Sequence, residues 1–272
     1  MSGIGELPLR IGLAGLGAVG LEVGRRLQAG IPGLALAAVS VHDPAKARDG
    51  LALGPAVPVV RLEKLPELCD VVVEGLPPAL FSTIAAATIA QARLFMPLSV
   101  GQLLSNWELV EQARKCGARI LVPTGALIGL DAVRAAAEGE IYSVTMVTRK
   151  PPAGLDGSPY LVEQGISVRD LSAPVKVFDG SARDGARGFP ANVNVAAALS
   201  LAGIGPDRTR LEIWADPSLS RNTHRIDVDS DTARFSMAIE NIPSENPRTG
   251  RIVALSTIAA LRGLVSELRV GT

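Results

Sequence analysis

Two rhythms of apolar and polar residues divide this chain. Up to residue 122, short runs that are apolar at nearly every position alternate with stretches where apolar residues recur at helical spacing. The runs at 9–14, 34–41, 70–74, 94–100 and 119–122 read as strands, with a brief further one at 57–61. The helical stretches fall at 44–51, 80–92 and 103–115, and another starts at Leu21, with Val23, Gly24 and Leu27 on its packed side. Strands without a polar face suit a sheet covered on both sides. Their alternation with helices predicts right-handed βαβ units around a parallel sheet.

Beyond Pro123 the rhythm becomes strand-rich. Thr145, Val147 and Arg149 alternate with Val144, Met146 and Thr148, the signature of a strand in a half-exposed antiparallel sheet. Strands are expected at 141–149, 175–179, 210–215, 223–229 and 232–241, helices at 131–138 and 191–201, and a long Pro/Gly-rich loop at 151–173. A last helix, 251–268, carries a broad apolar stripe of Ile252, Leu255, Ile258, Leu261 and Leu264 that must be buried, and the first domain is where it is expected to dock. The fold class is therefore α/β: a Rossmann-type parallel-sheet domain, residues 1–125 with 246–272, plus an α+β domain with a mainly antiparallel sheet, residues 126–245.

Composition narrows the class. Hydrophobic residues make up 47% of the chain and aromatic ones 3%, so the core must rest on Ala, Val, Leu and Ile. Lys plus Arg and Asp plus Glu stand at 27 each, which leaves no basic field to attract nucleic acid. Every long apolar stretch is broken by Pro, Gly or charge before it could span a membrane, and the N-terminus has no apolar core of the secretory type. A cytoplasmic chain is expected. Cys69 and Cys116 fit no metal or redox spacing and read as two small buried apolar groups; no metal site is expected.

Four places could carry chemistry. Gly15-Leu16-Gly17-Ala18-Val19-Gly20 is a G-x-G-x-x-G turn between the first strand and its helix. Gly15 permits the tight turn, Gly17 lets the backbone approach a pyrophosphate, and Gly20 lets helix and strand pack closely. Asp43 follows the second strand, where a carboxylate meets the adenosine ribose hydroxyls and repels a 2′-phosphate; Lys46 and Arg48 nearby could bind that phosphate instead. Thr124-Gly125-Ala126 leaves the last strand of the parallel sheet, the side on which such sheets bind ligands. Asn192 and Asn194 flank a helix start; one amide suffices for capping, which leaves the other for a ligand. Of the two histidines, His42 lies beside Asp43, and His224 follows a polar turn at a strand start, where it either faces a cleft or is solvated.

These segments, with Lys150-Pro151-Pro152, Asp216-Pro217, Asn222-Thr223-His224 and Asn241-Ile242-Pro243-Ser244-Glu245-Asn246-Pro247-Arg248-Thr249, together resemble the L-aspartate dehydrogenase family from about residue 9 to residue 268. The resemblance implies NAD(P)-dependent interconversion of L-aspartate with iminosuccinate, or oxaloacetate plus ammonia, and a role in nicotinamide-cofactor synthesis. It implies a homodimer formed through the second domain, His224 as the catalytic histidine, Ala126 as a cofactor contact, and Asn192 as another, with Asn194 two positions away. Gly15, Gly17, Ala18, Val19, Gly20 and Asp43 complete the expected cofactor set, for NAD with NADP as the alternative. Lys150, Arg149 and Arg221 are candidates for the substrate carboxylates. A dehydrogenase of a related dicarboxylate or amino acid, or a non-catalytic nicotinamide sensor, would share much of this plan.

Overall fold

A computed structural model describes residues 7–51, 56–190, 193–244 and 250–271, with the side chains of residues 46, 47, 49 and 50 excepted. The chain separates into two compact units. The first holds Met1–Ser99, Asn106–Pro123 and Ala254–Arg269; the second holds Val100–Ser105, Thr124–Val253 and Val270–Thr272.

The first unit follows the βα rhythm: β1 (Leu9–Ala14), α1 (Ala18–Gln28), β2 (Leu34–Ser40), α2 (Pro44–Leu51), a short α3 (Leu65–Leu68), β3 (Val71–Glu74) and α4 (Pro78–Ala90). After β4 (Leu94–Pro97), the short α5 (Gly101–Ser105) is assigned to the second unit, and α6 (Glu108–Cys116) and β5 (Arg119–Ile120) return to the first. The strands form one parallel sheet in the order β2-β1-β3-β4-β5. All four residues of β3 are buried, as a strand covered on both faces requires. Helix α4 buries Phe81, Ile84, Ala85, Thr88 and Ile89, the 3–4 spacing of one helical face. Ala254, Ile258 and Leu261 of the last helix, α11 (Ile252–Val265), join Ile11, Leu13, Val73 and Met96 in this unit's core, with Leu264 partly buried against them, whereas Ile252 and Leu255 of the expected stripe are exposed.

The second unit contains α7 (Leu130–Ala136), β6 (Ile141–Lys150), α8 (Pro159–Glu163), β7 (Val175–Ser181), α9 (Ala182–Gly188), α10 (Asn194–Ala202), β8 (Thr209–Ala215), β9 (Asn222–Ser230) and β10 (Arg234–Asn241). Its sheet runs β10-β9-β6-β8-β7, antiparallel except for the β6–β8 pair. One face is buried, with Val144, Met146, Leu211, Ile213, Ile226 and Val228 in its core; Tyr160, Phe178 and Phe189 cluster there with ring centroids 5.3–5.6 Å apart.

Several elements differ from the sequence reading. Residues 57–61 make a single parallel bridge, Val39 with Val59, rather than a strand, because Pro58 has no N–H to extend a ladder. The helix expected over 103–115 is two: the chain breaks at Asn106, whose Oδ1 accepts from the Ser82 hydroxyl at 2.9 Å. Helix α9 was not expected, being masked by Gly185 and Gly188; Ser181 caps it by accepting from the Asp184 N–H at 3.1 Å. The stretch 151–173 contains α8 and is not wholly loop. Cys69 is buried as expected, but Cys116 is exposed, on the last turn of the amphipathic α6.

Candidate active site

In the first unit the sheet changes direction between β1 and β3: the chain passes from β1 outward to β2 and returns to the other side of β1 as β3. A crevice opens there beyond the strands' carboxyl ends, the place where open parallel sheets bind ligands. It measures about 1190 Å³ and is lined by residues including Gly15, Gly17, His42, Asp43, Arg61 and Leu76. Gly15 takes φ +94°, and a Cβ on it would sit 2.6 Å from the Gly75 carbonyl oxygen. A Cβ on Gly20 would collide with the Gly15 carbonyl, so turn and helix close only around glycine. Above Gly17 there is open space. Ala18 and Val19 begin α1, whose N-terminus has no side-chain cap and no acidic residue in its first turn. Free N–H groups and the helix dipole therefore face an unobstructed approach, which fits a dinucleotide pyrophosphate.

The crevice walls are braced from beneath. Glu74, at the end of β3, is fully buried. Its carboxylate accepts from the Leu76 N–H at 2.7 Å, the Ser99 N–H at 3.2 Å and the Ser99 hydroxyl at 3.0 Å. Burial raises its pKa, and these donors oppose the rise. The loops after β3 and β4 are thus tied to one anion. At the adenosine end, Asp43 is exposed and its Oδ1 accepts from the Ala45 N–H at 3.1 Å, at the start of α2. His42 is exposed on the crevice wall and Arg48 is exposed; the Lys46 side chain lies outside the described residues.

The second unit carries a different constellation. Along β6 the buried face reads Val144, Met146, Thr148, Lys150; along β9, running the other way, it reads Val228, Ile226, His224, Asn222. Thr148 stands opposite His224. Thr148 Oγ1 and His224 Nδ1 lie 3.1 Å apart in a hydrogen bond. His224 is 4% exposed, so it is not the solvated strand-end residue that its position in the sequence allowed. Burial, and then the charge of Lys150, drive its pKa down from 6.5 to about 3. The imidazole is neutral at physiological pH, and with no anion beside it among the described residues the ring resists protonation. Asn241 ends β10 opposite Asn222, and its Nδ2 donates to the Ala126 carbonyl at 2.9 Å. Asn194 begins α10, and its Oδ1 accepts from the Gly101 N–H at 3.0 Å, so this amide tethers α5. Asn192 and residues 245–249 of the Asn-Ile-Pro motif lie outside the described residues.

Residues 131–264 match the family model described as aspartate dehydrogenase, C-terminal. The chain is 53% identical over 267 residues to the L-aspartate dehydrogenase of Bradyrhizobium diazoefficiens, with 97% of this chain and 94% of that protein covered. This chain belongs to the aspartate dehydrogenase family. A second family member, L-aspartate dehydrogenase 3 of Bordetella bronchiseptica, is 52% identical over 97% of this chain and 98% of its own length. The crystal structure of aspartate dehydrogenase from Thermotoga maritima shares the fold, with TM-score 0.76 at 22% identity over 97% of this chain and 99% of that one.

Gly15, Gly17 and Asp43 line one crevice in the first unit, with Ala18, Val19 and Gly20 in the first turn of α1 next to it, while Ala126, Asn194 and His224 belong to the second unit. In the sequence Lys150, Arg149 and Arg221 stand level as candidate cations. Arg149 instead faces outward, its guanidinium 5.0 Å from the Trp214 ring centroid, and Arg221 lies half exposed 3.9 Å from Glu240. Thr148 was read only as a strand residue, and Glu74 was not singled out. The alternation Val144, Met146, Thr148 did carry a signal, since one more step of two places Lys150 on the inner face.

Proposed function

We propose that this chain is an NAD(P)-dependent L-aspartate dehydrogenase that interconverts L-aspartate with iminosuccinate, and through it with oxaloacetate and ammonia. The observation that carries the reading is His224, neutral and buried beside Lys150 and fixed by Thr148, in a chain that also carries the glycine cradle. The cradle of Gly15, Gly17, Ala18, Val19 and Gly20 fits the pyrophosphate, and Asp43 suits the ribose hydroxyls of NAD better than the phosphate of NADP. Ala126 and Asn194, with Asn192, complete the proposed contacts. A bound nicotinamide supplies the hydride acceptor for the aspartate Cα–H and the donor for the reverse reaction.

The protein's own task is proton transfer. Oxidation leaves a C=N bond in iminosuccinate, and water adding to that carbon gives a carbinolamine. His224 accepts a proton from the attacking water and passes it to the imine nitrogen, then takes the carbinolamine hydroxyl proton and passes it to the departing amine, so oxaloacetate and ammonia form without a net change at the histidine. Thr148 holds Nδ1 and leaves Nε2 to meet the substrate. An anionic substrate beside the ring offsets the charge of Lys150 and brings the imidazole back toward a working proton affinity.

The likeness to the family supports a further proposal, a homodimer formed through the outward face of the second sheet. Val147 and Trp214 lie partly exposed there among ion pairs such as Arg225–Asp227 and Arg234–Asp229. Sedimentation should give about twice the 28.2 kDa chain mass. Among the described residues no helix is long and apolar enough to cross a membrane, and a cytoplasmic site of action is proposed. The test of function is a panel of oxo acids with NADH and ammonia: oxaloacetate should be turned over with the highest kcat/KM. Preference for a monocarboxylic oxo acid would favour the related-dehydrogenase reading, and no turnover with any would favour a sensor.

A further inference from the structure

The inner face of the second sheet is apolar along most of its length and turns polar at one end. The change occurs on β6 and β9 together, where Met146 gives way to Thr148 and Lys150 and Ile226 to His224 and Asn222; β10 keeps Ile239 opposite His224 and turns polar at Asn241, in register with Asn222. Lys150 is 4% exposed, Asn222 6% and Asn241 3%. Asn241 Oδ1 is buried with no hydrogen-bond partner among the described residues, although its Nδ2 is engaged by Ala126. A fold that needed only a core would continue the apolar pattern here; instead polar and charged side chains gather at one end of the buried face. The charge of Lys150 is felt at His224, where it opposes protonation.

From this juxtaposition we infer that Lys150 binds a carboxylate of the substrate, selecting dicarboxylates and seating the reacting carbon at His224. The inference rests on the dehydrogenase reading for its substrate class. An ammonium on a flexible stem, set in a buried site, makes a charge-assisted hydrogen bond to a carboxylate that a neutral side chain cannot replace. Asn241 Oδ1, which has no partner among the described residues, supplies the acceptor that an ammonium or imine N–H needs.

Two measurements on the intact chain separate this inference from the reading beneath it. The first is calorimetric titration with succinate, a non-reacting dicarboxylate, with and without NADH, for wild type, Lys150→Met and Lys150→Arg. Lys150→Met should weaken succinate binding about 10–100-fold, as loss of a charged hydrogen bond predicts; Lys150→Arg should restore part of it, and the NADH dissociation constant should be unchanged in both. The second is the His224 imidazole proton shift, followed by NMR against His224→Gln for assignment. It should titrate at higher pH in Lys150→Met once the neighbouring charge is gone. Absence of succinate binding by wild type, or equal binding by wild type and a folded Lys150→Met, would overturn the inference. Failure of wild type to turn over oxaloacetate would overturn the dehydrogenase reading while leaving a Lys150-dependent succinate site standing.

Discussion

Burial of His224 makes the stability of the second unit depend on pH in a defined direction. In the unfolded chain the imidazole protonates near its ordinary 6.5, whereas in the fold it resists protonation down to about 3. As pH falls through that interval, the unfolded chain takes up a proton that the folded chain refuses, so stability is lost. It is fully present above 6.5. Each unit of separation is worth about 1.4 kcal/mol, so between pH 7 and pH 4.5 this one residue should cost roughly 2–3 kcal/mol. His224→Gln carries no titrating group and should lose only what the carboxylates common to both proteins cost. The assay is urea unfolding at the two pH values in a Trp107→Phe background, which leaves Trp214 of β8 to report on the second unit. With an m-value of about 1–3 kcal/mol per molar, the wild-type midpoint should fall by roughly 1 M more than that of His224→Gln. Equal falls in the two proteins would refute the buried, neutral imidazole and the proton-accepting role built on it.

Other consequences can be checked directly. Gly20→Ala puts a methyl group against the Gly15 carbonyl; it should lower stability by about 1–3 kcal/mol and weaken NADH binding in a fluorescence titration. Glu74→Ala removes the acceptor of two N–H groups, from Leu76 and Ser99. At about 1–3 kcal/mol per unsatisfied group, denaturant titration should show a loss of roughly 2–4 kcal/mol, and Ser99→Ala should lose much less. Asp43→Ala should raise the KM for NAD about tenfold or more, as loss of a charged hydrogen bond implies, and narrow any gap from NADP; an unchanged ratio of kcat/KM values would mean that Asp43 serves only to cap α2.

The parallel sheet was legible because its signals are local. A strand such as Val71-Val72-Val73-Glu74, buried on both faces, needs no partner to be recognised, and the turn from Gly15 to Gly20 states its own packing. The misread elements depend on tertiary contacts or on backbone chemistry. Asn106 ends a helix because Ser82 reaches it across 24 residues. Pro58 stops a ladder whose side chains alone looked like a strand. Cys116 and Cys69 looked equivalent as thiols, but Cys116 falls on the solvent side of α6 while Cys69 packs beneath Gly12. The site was half visible. His224 could be named from its motif, but its burial could not, because that depends on the register that sets it opposite Thr148 on the inner face of the sheet. Lys150 and Arg149 were indistinguishable as cations until the pleat sent one inward to the histidine and the other outward onto Trp214.

The central claim is that His224 transfers the protons while the glycine crevice independently holds the cofactor. Its most direct test pairs two measurements on His224→Ala: steady-state oxidation of NADH with oxaloacetate and ammonia, and equilibrium titration with NADH. The account predicts a kcat lower by about 10²–10⁴ with the NADH dissociation constant unchanged. A folded variant that turns over near the wild-type rate would contradict it.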